Sequence, residues 1–336
     1  MIIRASSFRS ALRMQIVDHH ATQRHSATIE SLQAGRGLAA LAVVLLHCSL
    51  AGHDFGRPFL GYQLFRYGYL GVDFFFVLSG FIIYHSTVGK NRTVSEYAMA
   101  RFRRVYLPYW PVGIAMALAY TLLPGVSAAN PQWSWLPTLT LAPVDANPAL
   151  SVAWTLKHEI LFYALFGLFY FSRLLPLGLA AWTLCILLLG DQLPFRTINF
   201  EFLFGIAAAI SYRHLRVRPW LLLVAAGFVA LWIALGANES ARILIGAAMA
   251  FIVAPLAQLE RNGLVVPKAL IWLGGISYSL YLVHEPFISA VARVVHGSWP
   301  IFIAGALVSI AAGFAYHYAI EKRVIRKQAN PEVFRA

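Results

Sequence analysis

Ten long apolar runs, separated by short polar segments, constrain the fold of this chain more than any other feature. They lie at about residues 36–52, 68–86, 105–123, 156–172, 174–190, 198–212, 219–236, 241–258, 269–291 and 299–320. A membrane-spanning helix needs roughly 20 apolar residues. The runs are continuous, as at Leu221–Leu235, rather than alternating as in a β-barrel. The sequence therefore predicts an all-α, polytopic transmembrane helical bundle of about ten spans.

Composition agrees with this interpretation. Hydrophobic residues make up 59% of the 336 residues and charged residues only 12%, which is too little polar surface for a soluble chain of this length. We therefore expect a multi-pass protein of the plasma (inner) membrane, surrounded by membrane lipid.

The basic residues give the orientation of the bundle. If the N-terminus is cytoplasmic and successive segments alternate sides, 21 of the 27 Lys and Arg residues fall in inside segments and 6 outside. Both termini are therefore expected in the cytoplasm. The net charge of +13 then follows from topology, and no nucleic-acid partner is expected. We expect a disordered cytoplasmic tail at 1–30, a membrane domain at 31–322 and a basic cytoplasmic tail at 323–336.

Ionisable residues at membrane depth are costly, and they are functional candidates by default. Arg36 and His47 are eleven residues apart, so on a helix they share one face, about 16 Å apart along the axis. Arg36 would lie at the cytoplasmic edge and could hold an anion. His47 would lie toward the outer half and could move a proton. The alternative is a snorkelling arginine and a hydrogen-bonded core histidine.

Two carboxylates are expected toward the same outer half. Asp73 enters the second run from outside, and Glu159 opens the fourth run with Tyr163 on the same helix face. Asp73 could orient the imidazole of His47. The alternatives are a helix-start role for Asp73 and a solvated Glu159 within an interfacial aromatic belt.

Arginines and a polar stripe complete the pattern. Arg101 and Arg104 form a basic cluster at the cytoplasmic edge, which fits a CoA phosphate group but also plain topological charge or lipid head groups. Ser277, Tyr281 and His284 follow at i, i+4 and i+7, and they could also be polar contacts between helices. Arginines at the inner edge and proton-active groups farther out suggest an anionic donor held inside.

Together these segments resemble the acyltransferase 3 family of integral membrane O-acyltransferases. The resemblance rests on Arg36 and His47, Gly71 through Asp73 to Ser79 and Phe81, Arg101 and Arg104 followed by Pro108, Trp154-Thr155-Leu156 with Glu159 and Tyr163, and Ser277-Tyr278 with Tyr281 and His284. The matches keep family order over about 30–320. The opening at Leu32–Ala40 is most similar to the branch that acetylates bacterial exopolysaccharides. Thr155 stands where the family usually has Ser, which keeps the hydroxyl.

The resemblance implies transfer of an acyl group, expected to be acetyl from acetyl-CoA as co-substrate, to a hydroxyl of a cell-surface or exopolysaccharide carbohydrate. It implies donor binding by Arg36, Arg101 and Arg104. It also implies that His47 acts as a base or carries the acyl group, with Asp73 or Glu159 orienting it. Ser277, Tyr278 and Tyr281 would stabilise the thioester oxyanion, with Ser79 and His284 in support. The acceptor could be lipid-linked and handled by polysaccharide assembly machinery.

Two other function classes stay open at this point. A transporter or flippase of an anionic or lipid-linked solute would also use intramembrane His, Asp and Glu, although the sequence shows no internal repeat. A non-catalytic membrane subunit of a polysaccharide machine is the third reading. The sequence contains no zinc-ligand spacing and no Gly-rich phosphate loop, so no metal and no bound cofactor are expected.

Overall fold

The computed structural model describes residues 29–56, 60–123, 125, 130–190, 192–238 and 241–323. These residues are mostly helical. They contain no β-strand, only an isolated bridge between Trp133 and Asn147. Most of the two predicted tails, 1–30 and 323–336, lies outside the described residues.

The described residues contain twelve α-helices. Their bounds are α1 Glu30–Asp54, α2 Leu60–Phe65, α3 Leu70–Thr87, α4 Val94–Leu122, α5 Trp135–Thr140, α6 Trp154–Phe171, α7 Leu175–Leu189, α8 Phe200–His214, α9 Leu221–Ala234, α10 Ile243–Arg261, α11 Lys268–Val294 and α12 Ser298–Tyr316. A 3₁₀ turn at Arg66–Tyr69 joins α2 to α3. Helix α12 continues into a π-helical turn at His317–Glu321.

Ten of these helices lie on the ten predicted apolar runs, and α2 and α5 are short additions. Within the described ranges, six segments are long and apolar enough to cross a membrane: Glu30–Asp54, Leu60–Thr87, Val94–Leu122, Ser151–Phe171, Ile243–Arg261 and Ser298–Glu321. Helices α7 and α9 are apolar but shorter, α8 has 15 residues, and α11 carries a polar stripe. The all-helical fold with several potential spans is confirmed. The count of ten and the side of the termini stay predictions.

Helix α1 lies at the centre and packs against α11, α12 and α3. Its crossing with α11 is very close, because a Cβ added at Gly274 would lie 1.9 Å from the backbone oxygen of Gln33. Only glycine permits backbones to approach in this way. The crossing places the polar stripe of α11 beside the face of α1 that carries Arg36 and His47.

A second close crossing joins α3 to α8. A Cβ added at Gly205 would lie 2.0 Å from the backbone oxygen of Val77, and one added at Gly80 would lie 2.1 Å from that of Phe202. Glycine is therefore required on both helices at this point, and the two backbones are held in direct contact.

Stacked aromatic rings connect the same two helices to α6. The ring of Phe202 lies 4.7 Å from that of Phe76 and 4.3 Å from that of Phe162, measured between centroids. All three side chains are buried. Stacked rings at these distances add to the gain from burial. The stack holds α3 and α6 together and sets Ser79 of α3 within reach of Glu159 of α6.

Helix α4 begins with a capping box, in which Glu96 N–H donates to Thr93 Oγ1 at 3.2 Å and Thr93 N–H donates to Glu96 at 2.9 Å. Arg101 and Arg104 lie about two to three turns beyond this start. Pro108 then lies inside the helix, and proline there removes a backbone donor and favours a bend.

The segment 130–153 connects α4 to α6 and is tied to the bundle. The buried ammonium of Lys157 donates to the carbonyls of Val144 and Ala146 at 2.5 and 3.1 Å. The side chain of Asn130 donates to Pro148 O at 2.9 Å. Because these buried donors are satisfied by loop carbonyls, the segment has a defined course over this end of the bundle.

Candidate active site

One cavity, named the arginine cavity, has a volume of about 220 Å³. Its charged and hydroxyl-bearing lining residues are Arg36, Arg101, Arg104, Glu159, Ser79, Thr155, Tyr163, Ser277, Tyr278 and Tyr281. They come from α1, α3, α4, α6 and α11. Eight of the eleven site residues predicted from sequence therefore surround one space.

Arg104 is anchored by an acid that the sequence analysis did not single out. Its Nη1 lies 3.0 Å from Oε1 of Glu321, and its guanidinium carbon lies 5.1 Å from the ring centre of Tyr278. The other oxygen of Glu321 accepts from Ser279 Oγ at 2.6 Å and lies 2.9 Å from His317 Nδ1. Glu321 stands beside the basic tail, where a charged residue is ordinary. The sequence signal that could have identified Glu321 is its position four residues after His317, which places the two side chains on one helix face.

The other two arginines keep their charge open to the cavity. Arg101 lies over the rings of Tyr97 and Tyr163, at 5.8 and 5.6 Å from their centres. A guanidinium on a ring face is stabilised without use of its N–H groups, and Arg101 donates one hydrogen bond in the described residues, from Nη2 to Ser86 Oγ at 3.4 Å. Arg36 is half-buried, and it makes no hydrogen bond or ion pair with the part of the chain that the structure describes. The cavity can therefore bind a group with several negative charges.

Glu159 lies in the arginine cavity, which differs from the expectation that it accompanies His47. Both Tyr163 OH and Ser79 Oγ donate to Oε1 of Glu159, the latter at 3.3 Å. The prediction that Glu159 orients His47 is therefore wrong. The hydropathy pattern carried no information about the direction in which this side chain points.

A second cavity, named the histidine cavity, has a volume of about 480 Å³. Its lining residues are Val43, Leu46, His47, Tyr69, Val72, Asn130, Asn147, Ser151, Val152, Trp154, Arg196 and Tyr281. Val72 and Tyr281 line both cavities. The two spaces are therefore neighbours, and these two side chains belong to the wall between them.

The imidazole of His47 is held by a backbone carbonyl and by a second histidine. Its Nδ1 lies 2.9 Å from Val43 O and 3.3 Å from Nε2 of His284. His284 is fully buried, and its Nδ1 lies 2.7 Å from Tyr281 O. A carbonyl oxygen only accepts, so each Nδ1 carries its ring's proton. Nε2 of His47 is then left with a free lone pair in the histidine cavity.

Asp73 is engaged elsewhere, and the prediction that it orients His47 is wrong. It is fully buried, and Arg242 donates to both of its oxygens, from Nε at 2.8 Å and from Nη2 at 3.0 Å. Arg242 immediately precedes α10. The two-pronged pair therefore joins α3 to the start of α10, and it does not reach the imidazole.

The three hydroxyls predicted to stabilise an oxyanion are bound within the protein. Ser277 and Tyr278 donate to backbone carbonyls at 2.8 and 2.9 Å, so neither offers a free proton to a substrate. The hydroxyl of Tyr281 lies 2.9 Å from Thr155 Oγ1 and 3.0 Å from Val152 O. Tyr281 is the one of the three that lines both cavities, but its hydroxyl also donates to a backbone carbonyl, as those of Ser277 and Tyr278 do.

In the described residues, no group of three or more His, Cys, Asp and Glu side chains could hold a metal ion. Several ionisable groups of the two cavities have protein partners: Arg104 pairs with Glu321, His47 contacts the carbonyl of Val43, and Arg101 lies over the ring of Tyr163. What the arrangement offers is an anion site beside an imidazole base.

Comparison with known proteins gives the family. A model of the acyltransferase 3 family, described as "Acyltransferase domain", matches residues 29–318. The chain is similar to "Exopolysaccharide production protein ExoZ" of Rhizobium meliloti, with 29% identity over 293 residues, covering 78% of this chain and 91% of the relative. It is also similar to "Acyltransferase MdmB" of Streptomyces mycarofaciens, with 28% identity over 367 residues, covering 89% and 92%. No solved structure matches significantly. Since the family model covers most of the chain, the protein belongs to the acyltransferase 3 family of membrane acyltransferases.

Proposed function

We propose that this protein is an O-acyltransferase that moves an acetyl group from acetyl-CoA to a hydroxyl of an exopolysaccharide or other cell-surface carbohydrate. Family membership supports acyl transfer, and the name of one relative refers to exopolysaccharide production. The observation that carries the proposal is the pair of adjoining cavities. One is lined by three arginines and the other by a basic imidazole nitrogen, with Val72 and Tyr281 in both linings.

The arginine cavity is the donor site. Acetyl-CoA carries several phosphate charges at one end and its thioester at the end of a long, mostly uncharged arm. Arg36 and Arg101 offer open guanidinium groups for the phosphates, and Arg104 adds a third. His47 lies eleven residues beyond Arg36 on α1, about 16 Å along the axis. The arm would cover this distance and bring the thioester to the shared wall.

The histidine cavity is the acceptor site, and His47 is the base. Nε2 takes the proton of a sugar hydroxyl, and the oxygen attacks the thioester carbonyl. The new ester C–O bond forms, the C–S bond breaks, and the departing thiolate receives a proton. The Nδ1 proton, shared with Val43 O and His284, keeps the ring in the tautomer that presents Nε2. Transfer through an acyl-imidazole would use the same nitrogen.

The proposal places the protein in the plasma membrane, with ten spans and both termini in the cytoplasm. Acetyl-CoA then enters from the cytoplasmic side, where the arginines are expected. The acceptor arrives at the opposite end, beneath the segment 130–153, as a carbohydrate that could be lipid-linked and delivered by polysaccharide assembly machinery.

Label transfer tests the reaction itself. Membranes containing the protein are given acetyl-CoA labelled in the acetyl group together with the polysaccharide fraction, and ester-linked label is measured. His47→Ala should reduce transfer by about 100-fold or more, because general-base catalysis contributes 10²–10⁴-fold. His53→Ala is the matched control, since His53 lies on the same helix, is exposed and lines neither cavity. Near-normal transfer by His47→Ala would exclude the mechanism. Movement of an anionic or lipid-linked solute without label transfer would favour a transporter instead.

The donor site is tested by the KM for acetyl-CoA. Arg36→Ala should raise this KM by about tenfold or more with a smaller change in kcat, because one charge-assisted contact is lost. Arg103→Ala is the control, since Arg103 lies between the two site arginines of α4 and lines neither cavity. Equal effects of the two substitutions would contradict a specific donor role for Arg36.

A further inference from the structure

The histidine cavity is lined by a positively charged arginine that the transfer reaction does not explain. Apart from His47, Arg196 is its one ionisable basic residue, and no carboxylate is among the described residues that line it. The other polar lining groups are uncharged: the amides of Asn130 and Asn147 and the hydroxyl of Ser151. A neutral carbohydrate would be served by these groups alone, so the arginine calls for a separate explanation.

No carboxylate among the described residues lies within ion-pair distance of Arg196. Glu285 accepts hydrogen bonds from Ser151 Oγ and from Val152 N–H, the latter at 3.4 Å. Asp73 is occupied by Arg242. Arg196 itself is exposed and forms no ion pair within the described ranges of the chain. Its positive charge is therefore open to whatever enters the cavity.

A buried network fixes the backbone that carries Arg196. The residue lies between two 3₁₀ turns, and its carbonyl accepts from Asn199 N–H at 2.9 Å. The buried amide of Asn199 donates to Leu193 O and Pro194 O at 3.1 and 3.2 Å. His158, which is 1% exposed, bonds to Asn199 Oδ1 at 2.8 Å. These groups take no part in the proposed chemistry, and they hold the loop of Arg196 in one place.

We propose that the acceptor carries a negatively charged group near the acylated hydroxyl, and that Arg196 binds this group. The inference rests on the proposed function and adds the chemical class of the acceptor. A carboxylate or a phosphate suits a guanidinium fork equally. The carboxylate would belong to an acidic sugar, and the phosphate to a lipid diphosphate that carries the carbohydrate. Tyr69 and Trp154 offer rings for the apolar faces of the sugars.

Binding of three matched oligosaccharides to the purified full chain in detergent tests the proposal. One is neutral, one has a uronic acid in place of a neutral sugar, and one is the neutral oligosaccharide on a polyprenyl diphosphate. The uncharged counterpart of the uronic acid form is the neutral oligosaccharide, and that of the diphosphate form is the same oligosaccharide on an uncharged polyprenyl ether. The wild-type protein should bind one charged form at least about tenfold more tightly than its uncharged counterpart. The charged form that gains affinity identifies the source of the charge.

Arg196→Gln should remove this preference, a loss of about tenfold or more, and should leave binding of the neutral oligosaccharide unchanged. Arg66→Gln is the control, because Arg66 is also expected outside, contacts Gln63 and Tyr67, and lines neither cavity. Equal binding of all forms by the wild type, or an equal loss for neutral and charged forms in Arg196→Gln, would overturn the proposal. Because binding needs no turnover, charge-selective binding without label transfer would refute only the proposed function. Label transfer without charge selectivity would refute only this inference.

Discussion

Two arginine–carboxylate ion pairs in this protein both have a buried carboxylate, but they differ in what surrounds the arginine. Asp73 is bound by two nitrogens of Arg242, and the side chains are 0% and 14% exposed. Glu321 is bound by one nitrogen of Arg104, and the side chains are 1% and 34% exposed. The carboxylate is sealed in both pairs, but only the second arginine opens into a cavity.

The surroundings of each arginine explain the difference. Arg242 lies between Asp73 and Glu201, the latter at 3.9 Å, and over the ring of Tyr69. The positive charge of Arg242 is therefore compensated by carboxylates inside the bundle. Glu321 instead takes further hydrogen bonds from its own neighbours and leaves the rest of Arg104 facing the arginine cavity. The exposure of the arginine, rather than the burial of the acid, separates a pair that joins helices from one that supports a site.

Asp73→Ala should have the largest effect, on folding. Removing one partner of a buried ion pair costs about 3–5 kcal/mol, and Glu201, at 3.9 Å from Arg242, would offset only part of this loss. We expect much less folded protein in the membrane and a lower unfolding temperature after solubilisation. Asp54→Ala, at the exposed end of α1, should have neither effect. A stable Asp73→Ala protein that has lost only acetyl transfer would show that Asp73 takes part in catalysis.

Glu321→Ala should act mainly on donor binding. Arg104 is one-third exposed, so its charge can be solvated when the acid is removed, and the protein should still accumulate. The guanidinium would lose its fixed position, and the KM for acetyl-CoA should rise by about tenfold with little change in kcat. Glu321→Gln, which keeps one acceptor oxygen, should recover part of the affinity. A loss of folded protein as large as that of Asp73→Ala would remove the contrast between the two pairs.

Ser279→Ala should have the smallest effect. It deletes one hydrogen bond to Glu321, of 2.6 Å, and leaves the ion pair in place. A loss of about 1 kcal/mol corresponds to a rise of roughly fivefold in the KM for acetyl-CoA. Ser309→Ala is the control, because Ser309 is equally buried and its hydroxyl has no hydrogen-bond partner among the described residues. Identical kinetics of the two variants would mean that Ser279 does not support Glu321.

The helices were the most predictable part of the molecule. Each of the ten apolar runs lies on a helix, because the requirement for continuous apolar sequence in a bilayer leaves a strong pattern. Helical spacing also placed Ser277, Tyr281 and His284 on one stripe of α11; Ser277 and Tyr281 line the arginine cavity and His284 contacts His47, while their roles stay predictions.

The partners of individual charges were not predictable. Asp73 meets Arg242, 169 residues later, and Glu321 meets Arg104, 217 residues earlier. Such contacts depend on how helices rotate and pack, and hydropathy contains no information about rotation. For the same reason Glu159 was assigned to His47, whereas its side chain points into the arginine cavity.

The glycine crossings determine which helices of the bundle are attached to each other by direct backbone contact. Gly80 and Gly205 bring the backbones of α3 and α8 into direct contact, and the crossing at Gly274 does the same for α1 and α11. Of the helices around the arginine cavity, α4 is attached differently, through hydrogen bonds to its carbonyls from Tyr278 and Tyr316. Bonds of this kind can break and re-form without a steric clash. Helix α4 is therefore held at the donor entrance by polar contacts, including the Arg104–Glu321 ion pair, whereas the glycine crossings hold their helices by direct backbone contact.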